Sequence, residues 1–384
     1  MAATSAPPTN LFPFKSHLSY ARINPTIRHC WRCHAERDPV RAASTSPRIS
    51  SSSRGLIFRS SSDATSVGFP VVKRHVTDVT ERWLMWYNSG NSIGLATSNN
   101  GIHWEETTGE SISPSPDWWV FDNFRVVPSD VLIMSSDKLR LESAVYWMYY
   151  TGFTDEKVEL PLDGGGVVCK SLPGLAISQD GQHWARIEGD HHTGALFDAG
   201  EGGEWDSLFI TGPKIVYHGN KDLRMYYHSF DVNSGSYAIG IARSIDGLRW
   251  VKLGKVLERG PIGSFDEAGA RNGHVIRDDK DGKYLMVYEG IGSDGHVSIG
   301  LAESADGLKT WRRCNADPLL TGCLNGEGWD CEGVTAPCLV QLGKGEGWRI
   351  YYTGIGKEGG EGIGVAVCEG LDLGTFVKWK GFQI

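Results

Sequence analysis

Two glutamates occupy places where a repeating pattern elsewhere puts other residues. Five short aromatic segments end in Asn88, Thr151, His228, Glu289 and Thr353. The shared pattern therefore does not itself call for an acid, yet one copy carries it. Glu332 stands where the equivalent positions are Phe124, Leu208 and Ala268. Two carboxylates flanking a bond can split an acetal, one protonating the leaving oxygen and the other serving as base or nucleophile. Burial raises a carboxyl pKa and would suit Glu289 to the acid's part; a salt bridge to Arg271 is the alternative use, as a place on the rim is for Glu332. Asp122, Asp206, Asp266 and Asp330 recur once per repeat, which favours an architectural role in turns. Asp266, with Glu267 beside it and nearest Glu289 in repeat order, is the third candidate acid. Arg125 and Arg271 offer paired planar donors for a phosphate or carboxylate. Asn272, His228, Asn88 and Thr211 complete the polar set expected to touch a ligand. Nothing in the sequence calls for a metal or a cofactor.

Charge divides the 384 residues unevenly. The first 60 hold nine Lys/Arg and two acids, whereas beyond them acids outnumber bases 44 to 29. So acidic a body lacks the cation density a nucleic-acid partner needs, and no apolar run is long enough to span a membrane. The leading segment is rich in Ser and Arg, with Ser50–Ser53 and Ser60–Ser62 as runs. That composition fits a chloroplast transit peptide over residues 1–62, disordered and cleaved, and implies the stroma as destination. An uncleaved basic tail is the alternative. Of eight cysteines, Cys30 and Cys33 fall in this leader; the other six fit no zinc spacing and are expected as free thiols.

Residues 63–384 repeat. Ile93-Gly94-Leu95-Ala96 leads through Ser98 and Asn100-Gly101 to Trp104, and copies start at Gly174 (GLAISQDGQHW), Ile239 (IGIARSIDGLRW) and Ile299 (IGLAESADGLKTW). A degenerate fifth copy begins at Ile363 (IGVAVCEG). The motif glycines are 80, 66, 60 and 64 residues apart. Each copy follows an aromatic run such as YWMYYTGF (146–153), and that run follows a Trp/Phe-Asp segment such as WDSLFITGP (205–213). Asp-Gly and Asn-Gly suit tight hairpins. Four antiparallel strands per repeat make a propeller blade, so the fold expected is all-β, a five-bladed β-propeller. Residues 154–173, with three consecutive glycines, interrupt the period and read as a flap.

The Trp/Phe-Asp…Pro, x-M-Y-Y-x-G and I-G-x-A-x-S-x-D-G-x-x-W units resemble the five-bladed glycoside hydrolase superfamily of arabinanases, levansucrases and invertases, including families 43, 32, 68 and 130. The resemblance implies a pocket on the central axis, lined by the starts of inner strands and the ends of second strands. It implies a carbohydrate or sugar-phosphate ligand. Members place an Asp in blade 1, another in blade 2 and a Glu in blade 3; the counterpart segments SVGFP, NFRVVP and FITGP carry no such acid. A plastid hydrolase, transferase or phosphorylase using Glu289 with Glu332 or Asp266 is the leading expectation. A catalytically inactive propeller that binds a glycan or a protein is the alternative.

Overall fold

The computed structural model describes residues 54–59, 66–76, 81–134, 145–161, 166–219, 221–323, 328–343, 346–357, 361–369 and 373–380. Most of the leader, and Asp63, lie outside them. Among the described residues there are twenty-one strands and no helix. After β1 (Leu56–Phe58) the strands form five consecutive antiparallel meanders. The first is β2 (Val67–Val76), β3 (Glu81–Ser89), β4 (Ser92–Ser98) and β5 (Glu105–Glu106). The second is β6 (Arg125–Met134), β7 (Val145–Leu160), β8 (Gly166–Ser178) and β9 (Ala185–Ile187). Then come β10 (Thr211–Gly219), β11 (Asp222–Asp231), β12 (Ser236–Ser244) and β13 (Val251–Leu257), followed by β14 (Gly269–Arg277), β15 (Tyr284–Ile291), β16 (Val297–Ser304) and β17 (Arg312–Arg313). The last is β18 (Gly333–Gly343), β19 (Gly347–Ile355), β20 (Glu361–Cys368) and β21 (Val377–Lys378). The first strands β2, β6, β10, β14 and β18 touch in that order, and β18 returns to β2.

The repeated residues now have physical reasons. In the second to fifth meanders the Trp/Phe of the Trp/Phe-Asp segment lies over a second-strand tyrosine, with centroids 5.6–6.1 Å apart: Phe121 on Tyr150, Trp205 on Tyr227, Phe265 on Tyr288 and Trp329 on Tyr352. The motif glycine lies under this stack. A Cβ on Gly240 would come within 2.3 Å of the Trp205 ring, and one on Gly174 or Gly300 within 2.6 Å of Phe121 or Phe265. The adjoining aspartate is buried and clasped by the same tyrosine and by a cation on the fourth strand. Arg186 serves Asp122, Lys252 serves Asp206, Arg313 serves Asp266 and Lys378 serves Asp330. Asp266 thus takes the architectural role that recurrence implies. Its Oδ2 is held by Tyr288 and Arg313 and its Oδ1 by Ser264, over the outer strands rather than at the axis.

The Ser-x-Asp-Gly turns are structural. In Ser178–His183 the Asp180 Oδ1 accepts the N–H groups of Gln182 and His183, and Gly181 takes φ 78°. Each turn also receives a side chain from the preceding meander. Trp86 donates to the carbonyl of Gly181, Tyr149 to Gly247 and Tyr226 to Gly307; Tyr351, in the last meander, donates to Gly101 in the first. The fifth repeat lacks the Ser-x-Asp-Gly turn, and the residue that would face it, at the Tyr226 position of the fourth meander, is Val287.

Two boundaries differ from the sequence reading. Residues 54–59, assigned there to the leader, belong to the fold. β1 pairs with β20, and Phe58 lies against Tyr87 at 4.8 Å, the place a Trp/Phe takes in the other meanders. The expected flap is a continuation of β7 and β8 as a hairpin, registered from Lys157↔Cys169 to Leu160↔Gly166. Leu160 at its end packs with Phe209 and Phe230, which gives the hairpin an apolar anchor; its tip, residues 162–165, lies outside the described residues. The six cysteines beyond the leader are free thiols.

Replacing Gly240 by Ala should displace the Trp205 ring and cost about 1–3 kcal/mol, read as a lowered midpoint in urea. An equal change at Gly202, where a Cβ meets nothing within 4 Å, should leave the midpoint unchanged.

Candidate functional site

Antiparallel pairing brings the start of each first strand beside the end of the second, at one end of the ring. The facing pairs are Gly68 and Asn88, Val127 and Thr151, Thr211 and His228, Arg271 and Glu289, Thr335 and Thr353. Just beyond every pair the register shifts by a bulge. The residues that follow the pairs are Phe69, Pro128, Gly212, Asn272 and Ala336; Pro128 stays in register with Tyr150, and the shift in its strand comes one residue later, at Ser129. Four of them have positive φ: 51° at Phe69, 66° at Gly212, 49° at Asn272 and 49° at Ala336. For the three that are not glycine this conformation is uncommon and costs energy.

A bulge leaves its N–H outside the ladder, and a buried N–H must find an acceptor. The preceding meander provides it from the end of its second strand. Thr353 Oγ1 accepts Phe69 N at 2.8 Å, Thr151 Oγ1 accepts Gly212 N at 2.9 Å, His228 Nδ1 accepts Asn272 N at 3.3 Å and Glu289 Oε1 accepts Ala336 N at 2.6 Å. At the corresponding place in the second meander stands Pro128, which has no N–H to satisfy. There Asn88 instead donates to the Val126 carbonyl. The position singled out by its polarity is therefore a belt of acceptors that ties neighbouring meanders together.

Glu289 does more than its sisters. It is fully buried. Besides Ala336 N, Oε1 accepts the Asn272 amide and the Thr335 hydroxyl, while Oε2 accepts Arg271 Nε at 2.7 Å. Burial pushes its pKa up, but Arg271 and these donors outweigh burial and hold it below the ordinary carboxylate value. The expectation of a raised pKa and a general acid is thereby corrected: Glu289 is a fixed anion. Glu332 is half-buried, immediately before β18, its N–H bonded to the Ile355 carbonyl. It lies at the mouth end, three residues upstream of Thr335, and is not among the partners of Glu289.

The expected ligand-binding residues meet at this mouth, several of them already engaged. Arg271 is pinned by Glu289 and lies 5.1 Å over the Tyr237 ring, with its side chain 24% exposed. Arg125 donates to Asn88 Oδ1 at 2.5 Å and lies 5.8 Å over Phe153. Thr211 exchanges a 2.6 Å hydrogen bond with Ser171. His228 is neutral, its pKa depressed to about 3 by burial and then by Arg271.

One level deeper lies a second belt that the sequence reading missed: Val71, Asp130, Lys214, His274 and Cys338. Asp130 accepts Ile215 N, His274 Nδ1 accepts Leu339 N and Cys338 Sγ accepts Val72 N, each from the next meander. Lys73 pairs with Asp130 at 2.8 Å, and Lys214 donates to the Ser129 carbonyl. Burial depresses the His274 pKa to about 3. Polar residues at four of five equivalent places, three after the facing pairs, were the available signal. Two clefts of about 290 and 610 Å³ open at the rim, beside Val256 and Thr310 and beside Asp317 and Phe376, away from this mouth.

No family model matches the chain. It is 28% identical over 226 residues to Uncharacterized protein Rv1502 of Mycobacterium tuberculosis, covering 58% of this chain and 67% of that protein. Among solved structures it resembles a glycoside hydrolase with a TM-score of 0.62 at 16% identity, covering 86% of this chain and 95% of the other. A thermostable family-43 glycoside hydrolase matches with a TM-score of 0.59 at 17% identity, covering 83% and 93%. A structure titled for the GH130 family of mannoside phosphorylases, containing glycoside hydrolases that target β-1,2 mannosidic linkages in Candida mannan, matches with a TM-score of 0.52 at 14% identity, covering 82% and 88%. These neighbours are members of the five-bladed β-propeller glycoside hydrolase superfamily, and the likeness is one of fold.

Thr353→Val keeps the shape and removes the acceptor for Phe69 N. It should cost about 1–3 kcal/mol in chemical denaturation, with Thr353→Ser recovering most of the loss. Glu289→Gln leaves Arg271 without its anion and should cost about 3–5 kcal/mol at neutral pH. Because the folded pKa of Glu289 lies below its ordinary value, that difference should hold above pH 4.5 and narrow as pH falls through the folded pKa. His228 and His274 bind protons in the unfolded chain near 6.5 but in the fold only near 3. The stability of the parent protein should therefore decline steadily below pH 6.5, as followed by melts across pH 3–8.

Proposed function

We propose that the five meanders are the blades of a five-bladed propeller, and that the chain is a chloroplast stromal enzyme that cleaves a small glycan at the axial mouth with phosphate as the nucleophile. The observation that carries this reading is the charge at the mouth: two arginines, Arg125 and Arg271, with Glu289 fully buried and saturated by donors. Hydrolysis needs an acid and a base or nucleophile. At the inner-strand starts, where the superfamily resemblance calls for acids, stand Gly68, Val127, Thr211, Arg271 and Thr335. Among the described residues, those five places offer water no base. Phosphate carries its own negative charge and needs cations to hold it, a task suited to planar guanidinium groups.

In that reaction a phosphate oxygen bonds to the anomeric carbon as the carbon–oxygen bond to the leaving sugar breaks. The leaving oxygen takes one proton from an acid. Glu332, half-buried at the mouth end of β18, is assigned that part. Glu289 fixes the Arg271 guanidinium. The basic, Ser-rich leader supports the plastid address, and the glycoside hydrolase and phosphorylase neighbours support a glycan as substrate.

A second reading, a propeller that binds a glycan or a protein without cleaving it, is favoured by the saturation of Glu289. Incubation with arabinan, fructan, mannan and galactoside oligomers, with and without phosphate, separates the two. The expected result is a sugar 1-phosphate formed only with phosphate and reduced at least about 100-fold by Glu332→Gln, in a variant that melts like the parent. Release of free sugar without phosphate would replace phosphorolysis by hydrolysis. Binding of an oligomer with no product would favour the scaffold, and neither binding nor product would overturn both.

A further inference from the structure

The loops that carry the chain from one meander's outer strand to the next inner strand cross the mouth end of the ring, and three of them can be superposed by their hydrogen bonds. Ser115 N donates to the Asp122 carbonyl, Gly200 N to Asp206 and Gly260 N to Asp266. Within them Val120 N donates to Asp117, Glu204 N to Glu201 and Ser264 N to Pro261. Trp118 and Trp119 therefore occupy the places of Gly202 and Gly203 in one sister loop and of Ile262 and Gly263 in another. The loop geometry itself demands no aromatic residue.

These two tryptophans are 86% and 48% exposed, and they are the exposed tryptophans among the described residues. The loop beneath them is fixed. Asn123 donates to the Trp118 carbonyl at 2.6 Å, and Phe124 N donates to the Phe153 carbonyl at 3.0 Å. One residue further on, β6 begins with Arg125 at the mouth. A fixed loop here holds two adjacent bare indoles beside the mouth, where the sister loops carry two glycines or a single exposed Ile262 followed by a glycine.

The polar setting narrows the occupant. Two indoles can cover at most about 150–250 Å² each, well short of the roughly 800 Å² per partner of a stable protein interface, and the exposed Asp117 separates them from Pro116. A sugar ring matches: it offers C–H groups on its face and hydroxyls around its edge. We propose that Trp118 and Trp119 form a stacking subsite for the rings of a glycan chain whose end lies at the axial mouth. The subsite rests on the reading of the mouth as a glycan site, and it adds that the ligand is an oligosaccharide or polysaccharide extending over the second meander.

The test uses the full chain and the double variant Trp118→Ala/Trp119→Ala, which removes only exposed surface and should melt like the parent. Retardation in gels containing soluble arabinan, mannan, galactan or fructan reads chain binding. Protection from heat by glucose 1-phosphate and mannose 1-phosphate reads the mouth. The expected result is retardation of the parent by one of these polymers, weakened about tenfold or more in the double variant, with sugar-phosphate protection unchanged. Equal retardation of parent and variant would overturn the subsite and leave the mouth intact. Protection of the parent without retardation by any polymer would do the same. Loss of self-association in the double variant, seen by sedimentation, would assign the indoles to a second copy instead. Neither retardation nor protection would remove both the subsite and the glycan reading beneath it.

Discussion

An amide hydrogen that its own strand cannot satisfy governs the centre of this molecule. Five inner strands converge on an axis without pairing with one another, and each bulges where it enters. Four of the five bulges present an N–H to the preceding meander, and Thr353, Thr151, His228 and Glu289 take them up. The exception fits the cause: where Pro128, with no N–H, takes the corresponding place, Asn88 turns its amide to the Val126 carbonyl instead. Deeper down, Asp130, His274 and Cys338 repeat the device. Leaving such a group unpaired costs about 1–3 kcal/mol, so polarity at these places is a condition of folding before it is a sign of chemistry.

That condition explains what the sequence could and could not disclose. The period was legible because each repeat obeys the same local sterics: a glycine under an aromatic pair, an aspartate clasped by tyrosine and a cation, and a turn built on Ser and Asp. Even the degenerate fifth copy has a matching change, since Val287 stands where a turn-facing Trp or Tyr would otherwise be. The acceptor belt was visible only as unexplained polarity, because the contacts cross between meanders and depend on bulges that no local pattern announces. Leu56–Phe58 was hidden for a different reason. Its neighbours have a leader's composition, and its place in the fold rests on β20, about 300 residues away in the chain.

Charge, not polarity, is what the belt does not explain. Threonine and neutral histidine satisfy a bulge N–H as well as glutamate does, and without the several kcal/mol that burying an ion costs. Glu289 is therefore better understood through Arg271, which sits where the sister strands carry Gly68, Val127, Thr211 and Thr335. The carboxylate offsets the guanidinium on its buried side through Nε, and the Tyr237 ring supports it from a second direction. A cation fixed in this way but still partly open to solvent is oriented for an anion arriving from outside.

The polarity of the centre thus runs opposite to that of a two-carboxylate hydrolase. Such a site gathers negative charge at the inner-strand starts and tunes one acid upward by burial. Here burial's upward push on Glu289 is overcome by four donors, and Arg125 and Arg271 stand at the mouth with Glu332. In the phosphorolysis proposed above, phosphate brings its own negative charge to a mouth that carries Arg125 and Arg271, and water brings none.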